Sequence, residues 1–437
     1  MGLSRSLSIS ASALRINQRK FDVISNNIAN VNTIGFKSAR MTFADLFSQT
    51  YNFGSPPEIS GARSVGGTDP LQYGLGVKIG AVTNDMSQGS LESTNRTLDL
   101  AIQGDGLFVF DKDNQKLFSR AGALTIDKDG YFVDSVTGAF LQGYGIQMDA
   151  SNNIVRNPDG TTILNKLLTN LRVQSTMVSP PQQTHNVNVS GNLNANMATT
   201  PPDNTRATSI TVYDQRGGTH TLNITFEKTA DKQFDVTVTM DDDTTDLVNL
   251  SSPEITFNAD GTLNTPTKLT VALSSNATFQ NLFPSDITIN LTGQGGTGLT
   301  NYAGSSTATA TDQDGFKSGE LSGLSIDTSG KVWGGFTNGK NEVLGQIVVA
   351  KFANPSGLVK DGDNMFKTGP NSGPPNVGMG GEDFPSTTIV SGSLEMSNVD
   401  LTEQFTDIIT TQRAFDASSR TITVSDQMLA TVNNLIR

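Results

Sequence analysis

The amino-acid sequence reads as a mainly β chain with an α-helix at each end. The two helices would pair, and the β part would be nested between them. Three features carry this reading. Apolar residues recur every seventh position near both termini, they alternate at period two through much of the middle, and Gly, Thr, Asn and Ser fill the intervals.

No proline interrupts Leu3 to Val31. Leu7, Leu14, Phe21 and Ile28 fall seven apart, and Ser10, Asn17, Ile24 and Val31 follow three positions later, an a/d pattern with a half-polar d position. Leu401, Ile408, Phe415, Ile422, Leu429 and Ile436 repeat at the same interval near the other end. Asp400 precedes that run and Glu403 follows three residues later, a capping box built on Asp. The second helix would run ~55–60 Å at 1.5 Å per residue. Away from these apolar positions the helices carry Asn26, Asn27, Asn30, Gln412, Ser418 and Asn433 where an exposed helix usually carries Glu/Lys pairs. Neutral polar faces at this spacing suit helices that touch other helices on several sides. A simple intramolecular hairpin of the two ends fits the same pattern.

The middle reads as strands. Leu124–Ile126 and Tyr131–Val133 flank Asp127-Lys128-Asp129-Gly130, a hairpin signal. Ser209–Tyr213 pairs with Thr219–Phe226 across Gln215-Arg216-Gly217-Gly218, and Phe234–Met240 alternates at period two. Gly345–Phe352 is apolar on both faces and reads as a more buried strand. The stretch 32–72, with Pro56-Pro57 and several glycines, reads as an extended connector. The expected plan is a terminal helical coiled coil (1–31 and 397–437), the connector 32–72, an inner β domain built from two segments (73–145 and 313–396), and an outer β domain inserted between them (146–312).

Composition excludes several classes of function. The chain of 437 residues has 42 acidic and 30 basic side chains, a net charge of -12, and no Lys/Arg block, so neither nucleic acid nor membrane is an expected partner. It has no Cys and two His, which removes thiolate chemistry and a three-His zinc site. Gly293–Gly298 matches G-x-G-x-x-G but opens no helix, so it lacks the dipole that holds a pyrophosphate. Asp241-Asp242-Asp243 with Asp246 fits no calcium loop and reads as an acidic turn. His185 and His220 have no Ser or Asp partner at motif level, and Trp333 reads as core. No catalytic residue, metal ligand or cofactor is expected.

Ser25-Asn26-Asn27-Ile28-Ala29-Asn30-Val31-Asn32-Thr33-Ile34-Gly35-Phe36-Lys37 resembles the N-terminal signature of the bacterial flagellar rod and hook axial protein family. Leu100–Phe108 with Gly104 and Gly106, Phe118–Gly122, and Gly392–Leu401 with Ser397, Asn398, Val399 and Asp400 resemble that family's first β domain and C-terminal signature. Asn30, Thr33, Gly35, Phe36 and Lys37 complete the signature set. The long insertion, with Val212-Tyr213-Asp214 and Thr219–Leu222, and the segments Phe336–Gly339 and Phe352–Leu358 are similar to hook members. The resemblance implies a non-enzymatic hook subunit that polymerises into a curved flexible tube, a universal joint carrying motor torque from rod to filament. The implied partners are further copies of itself, the rod, hook cap and hook–filament junction proteins, and the flagellar type III export apparatus. It also implies an extracellular hook location, reached without a cleaved signal peptide. A distal rod or hook–filament junction protein would share the ends. A secreted β-rich adhesin or hydrolase would share the composition. On this reading the apolar seam binds within a subunit, and the Asn/Ser/Gln faces meet neighbours.

Overall fold

The computed structural model describes residues 2–60, 63–147, 162–174, 176–240, 250–273, 279–293 and 298–435. Helix α1 spans Gly2–Ala29 and helix α2 spans Leu401–Leu435. They pair antiparallel: Ser6 faces Ser425, Lys20 bonds Asp407, and Asn27 bonds Gln404. Side chains end α1 by competing for its backbone. Asn30 Nδ2 donates to the Asn26 carbonyl at 2.9 Å, and Thr33 Oγ1 donates to Asn30 Oδ1 at 3.1 Å. Asp400 starts α2 by accepting the Thr402 amide at 2.7 Å, an N-cap.

The connector is not irregular. Ala39–Asp45 pairs with Val77–Asn84, Ser48–Asn52 with Leu71–Gly74, and Glu58–Ser60 with Arg63–Val65, all antiparallel. One long two-stranded ribbon results, and residues 73–84, expected in the inner domain, are its returning half. A lone ribbon of two strands is marginal in water. This one leans on α1, where Arg5 donates to Gln49 Oε1 and the Tyr51 hydroxyl at 3.1 Å each.

The inner body is one sheet of thirteen strands among the described residues. Asn341–Lys351 lies near its centre and pairs with Lys331–Phe336, Phe140–Ile146, Leu107–Lys112 and Asn376–Met379. Apolar cores cover both faces of this region. Phe108, Phe110, Ile347 and Val349 point to one, and Leu107, Val109, Val348 and Ala350 to the other. That explains the continuous apolar run Ile347-Val348-Val349-Ala350 within 345–352. The turn at Asp113 and Asn114 has φ of 55° and 62°, the two-residue hairpin geometry that favours Asn and Asp.

Among the described residues the outer body contains two five-stranded sheets. Thr205–Tyr213, Thr219–Ala230, Gln233–Met240, Glu254–Phe257 and Leu263–Thr265 form one of them in order. The second is built around Asn186–Asn192, which pairs parallel with Ile287–Asn290 and antiparallel with Thr309–Gln313. A single core with Phe226, Phe234 and Val238 from the first sheet and Val187, Val189 and Ile289 from the second fills the space between them. The expected hairpin forms, with Tyr213 opposite Thr219.

The border between the bodies lies elsewhere than 146 and 312. Leu164–Asn170 pairs with Phe140–Ile146, and Val178–Ser179 pairs with Gly319 and Glu320, so both strands belong to the inner sheet. The chain crosses at Gln182 and Phe316, whose backbones bond each other at 2.9 and 3.0 Å. Thr- and Asn-rich composition runs through this point without a break, which is why the border was invisible in the sequence.

Candidate functional site

Both helices, the ribbon and the inner body meet at one junction. Its centre is Glu395, one of the last residues before α2. Lys37 Nζ reaches Glu395 Oε1 at 2.6 Å, and Arg120 donates to Oε2 at 3.1 Å. The Gly89 amide also donates to Oε1 at 2.9 Å, and the Gly35 amide to the Glu395 carbonyl at 2.7 Å. Backbone carbonyls take the remaining donors: Ser87 from Lys37 at 2.6 Å, Ile102 and Gly104 from Arg120 at 3.0 and 2.7 Å. Burial pulls the Lys37 ammonium below the ordinary lysine range, with Glu395 opposing the shift, and it lowers Arg120 in the same way.

A second ring of polar side chains locks the strands around this centre. Asn398 accepts the Ser38 amide at 2.8 Å and donates to the Asp85 carbonyl at 2.9 Å. Asn27 bonds the amide and the carbonyl of Ala39 at 2.9 Å each, as a strand would, and reaches Gln404 at 3.0 Å. Asn364 donates to the Ile34 carbonyl at 3.0 Å, and Lys360 sits 4.5 Å from the Phe36 ring centre. Gly35, at φ +68°, has room for no side chain: a Cβ would stand 2.6 Å from the Ala121 amide nitrogen. Gly106 is held likewise against Val349. The structure thus gathers Gly35, Phe36, Lys37, Gly104 and Asn398 here. Asn30 and Thr33 end α1, Ser397 accepts the Val399 amide, and Asp400 caps α2.

Glu395 and Arg120 were not among the expected site residues. Both lie inside the family-like motifs. Their signal was a lone charged residue within a charge-poor stretch.

The helix seam differs from the expected one. The buried positions of α2 are Gln404, Thr411 and Ser425, with Ser418 half-buried between them. Ser6 with Ser425 and Asn27 with Gln404 fix the register, and the same spacing puts Ala13 opposite Ser418 and Lys20 opposite Thr411. Leu401, Phe415 and Leu429, expected in the seam, are exposed. Ile408 and Ile422 are half-buried, as are Leu7, Leu14, Phe21, Ile28 and Val31, while Ile24 is buried. Of the expected neighbour-facing residues, Asn26, Gln412 and Asn433 are exposed, Asn30 and Ser418 are half-buried, and Asn27 is buried. Ile436, the Asp241–Asp246 cluster and the middle of the Gly293–Gly298 loop lie outside the described residues.

The remaining chemical candidates have structural surroundings. His220 Nε2 lies 3.4 Å from Asp214 Oδ2, and Asp214 also caps the hairpin turn by accepting the Gly218 amide. Trp333 Nε1 donates to Asp327 at 3.1 Å.

Three family models match. Residues 7–37 match the flagella basal body rod protein family, 390–435 the flagellar basal body rod FlgEFG protein C-terminal family, and 183–316 the flagellar basal body protein FlaE D2 domain. A flagellar hook protein FlgE of Treponema pallidum (strain Nichols) is 34% identical over 100% of both chains. The chain belongs to the flagellar hook protein family. A hook protein of Escherichia coli (strain K12) is 31% identical over 97% of this chain and 98% of its own. A basal-body rod protein FlgG of Bacillus subtilis (strain 168) reaches 27% over 99% of each. Hook proteins are structural, and the family is non-enzymatic. Residues 7–37 and 390–435, the rod- and C-terminal matches, include both halves of the Lys37–Glu395 pair.

Proposed function

We infer that this chain is a structural subunit of the bacterial flagellar hook, self-assembling into the tube that serves as universal joint between rod and filament. The observation that carries this is similarity to hook proteins from end to end, with the outer body matched as well as the termini. The finer partners are the rod, hook cap and hook–filament junction proteins and the type III export apparatus. On this reading the chain leaves the cell without a cleaved signal peptide and works outside it. Family resemblance supports these assignments.

Within the tube, α1 and α2 form the inner layer, and the junction at Glu395 sets their angle to the inner body. The half-buried and exposed heptad residues Leu7, Leu14, Phe21, Ile28, Leu401, Ile408, Phe415, Ile422 and Leu429 meet other helices on assembly. The exposed Asn26, Gln412 and Asn433 make neutral contacts that tolerate small displacements as the joint bends. Electron microscopy of basal bodies from cells lacking the protein tests the function. A completed rod with no hook is the expected result. A truncated rod would move the chain to the distal rod, and intact hooks would refute the reading.

A further inference from the structure

We propose that a cavity beside Trp333, on the outward face of the inner sheet, binds a neutral saccharide ring. The proposal is independent of the hook reading, because it rests on one pocket of the inner body.

Trp333, expected in the core, is half-buried. Val332, Gly334 and Phe336 on the same strand are buried, so Trp333 stands on the opposite, outward face. Its ring is fixed. Nε1 donates to Asp327 Oδ2 at 3.1 Å, and Asp327 Oδ1 in turn accepts the Ser329 and Lys331 amides at 2.9 Å each. Beside the indole lies a cavity of about 380 Å³, walled by Trp333, Leu164 and Val343 and edged by Lys331, Asn341 and Glu342. Thr162 Oγ1 donates to the Val343 carbonyl at 3.1 Å and ties the Leu164 wall in place. Gly335 pairs with Asn341 and carries no side chain on the Trp333 face, which leaves the opening clear.

These surroundings select the ligand. A rigid aromatic wall with a few polar groups at its edge is the arrangement of a small-molecule site. The edge carries charges of both signs, with the Lys331 ammonium paired to Glu382 at 2.6 Å and the Glu342 carboxylate beside it. A cation would meet Lys331, and an anion would meet the two carboxylates, so the ligand is neutral. A wholly apolar ligand would strip water from Lys331 and Asn341 and give nothing back. The Asn341 side chain is exposed and makes no hydrogen bond among the described residues, so its amide has both donors and acceptor to offer. A pyranose ring meets each of these demands. Its C–H face lies on the indole, and its hydroxyls, each donor and acceptor, reach the Asn341 amide.

Trp333 is the single Trp of the chain, so tryptophan fluorescence reports this cavity. The test titrates the full chain with glucose, galactose, mannose and N-acetylglucosamine, and with cellobiose and chitobiose. Hexanol, hexanoate and tetramethylammonium serve as apolar, anionic and cationic controls. A saturable change in emission with at least one sugar, and with no control, is expected. Saturation by a monosaccharide assigns a free sugar as the ligand, and saturation by a disaccharide alone assigns the end of a glycan chain. Asn341→Ala, at an exposed position, should weaken binding about tenfold. Gly335→Leu places a side chain at the opening and should abolish binding. A Cβ there comes no closer than 3.4 Å to any neighbour, so this variant keeps the fold. No saturable change with any of these sugars, an equal change with a control, or undiminished binding in both variants would each overturn the proposal.

Discussion

Lys37 Nζ lies 2.6 Å from Glu395 Oε1, and neither side chain is exposed to solvent. The two residues are 358 positions apart, one shortly after α1 and the other shortly before α2. One buried carboxylate thus holds both ends of the chain where they leave the inner body. It also holds Arg120, so two cations share one anion, and the Ser87, Ile102 and Gly104 carbonyls stabilise the surplus charge.

Glu395→Gln leaves two buried cations without a counter-charge. Removing one partner of a buried pair costs about 3–5 kcal/mol. Urea unfolding followed by circular dichroism should show a loss of that size. Lys37→Met, which leaves the Arg120–Glu395 pair intact, should lose less. Equal losses would show that the centre does not act as a shared anion.

The junction also predicts a pH dependence. Burial lowers the Lys37 pKa below its unfolded value of 10.5. Between the folded and unfolded pKa values the unfolded chain binds more protons, so stability rises with pH across that window. Below the folded pKa the full penalty of burying the charge is present. Lys360 is lowered by burial too and adds to the same slope. Urea midpoints measured from pH 8 to 10.5 should climb in the wild type and climb less in Lys37→Met. Identical slopes would remove Lys37 as the source.

Ile24 is 2% exposed, the most buried apolar side chain described in α1. Ile24→Asp places a carboxylate in that site at a cost of about 3 kcal/mol or more. Loss of tube assembly is expected, with a smaller effect from Ile422→Asp at its half-buried position. Normal tubes from the Ile24 variant would refute the packing described for α1.

Gln182 and Phe316 bond each other through their backbones at 2.9 and 3.0 Å. The outer body can therefore be replaced by a two-residue Asn-Gly turn between them. The shortened chain should keep the inner sheet and melt cooperatively. A molten product would show that the inner core depends on the outer one.

The α1–α2 seam holds little apolar surface, so the pair gains little from hydrophobic burial within one chain. The helices should be largely disordered in dilute monomer and fold on assembly. Sharp, dispersed amide NMR signals for residues 3–31 in the monomer would contradict this.

The hairpins at Leu124–Ile126 and Ser209–Tyr213 were legible because alternation and a glycine turn act over a few residues. In the ribbon, the alternating apolar residues from Tyr73 to Met86 marked the returning half as strand, but its partners at 39–65 were not legible, because much of the ribbon is exposed on both faces and gives no buried face to match. The helices were legible from their seven-residue interval, but that interval did not say which face is inside. Gln404, Thr411, Ser418 and Ser425 share it with Leu401, Ile408, Phe415 and Ile422. The Glu395 centre depends on partners far away in the chain, and no local pattern encodes such a pairing. Residues 35–37 and 397–400 were found through family resemblance, while their geometry came from the structure.

The central position of Asn341–Lys351 has a consequence in time. That strand joins segments on both sides of the outer body, so the inner sheet cannot close until the chain beyond Phe316 is available. The outer body is continuous in sequence and is free to close earlier. Local contacts form faster than distant ones. The expected order is outer body, then inner sheet, then the Glu395 centre, with the helix pair last. The parts proposed to touch the most neighbours are thus the last to set, and the chain reaches its place in the polymer with its adhesive surfaces still unmade.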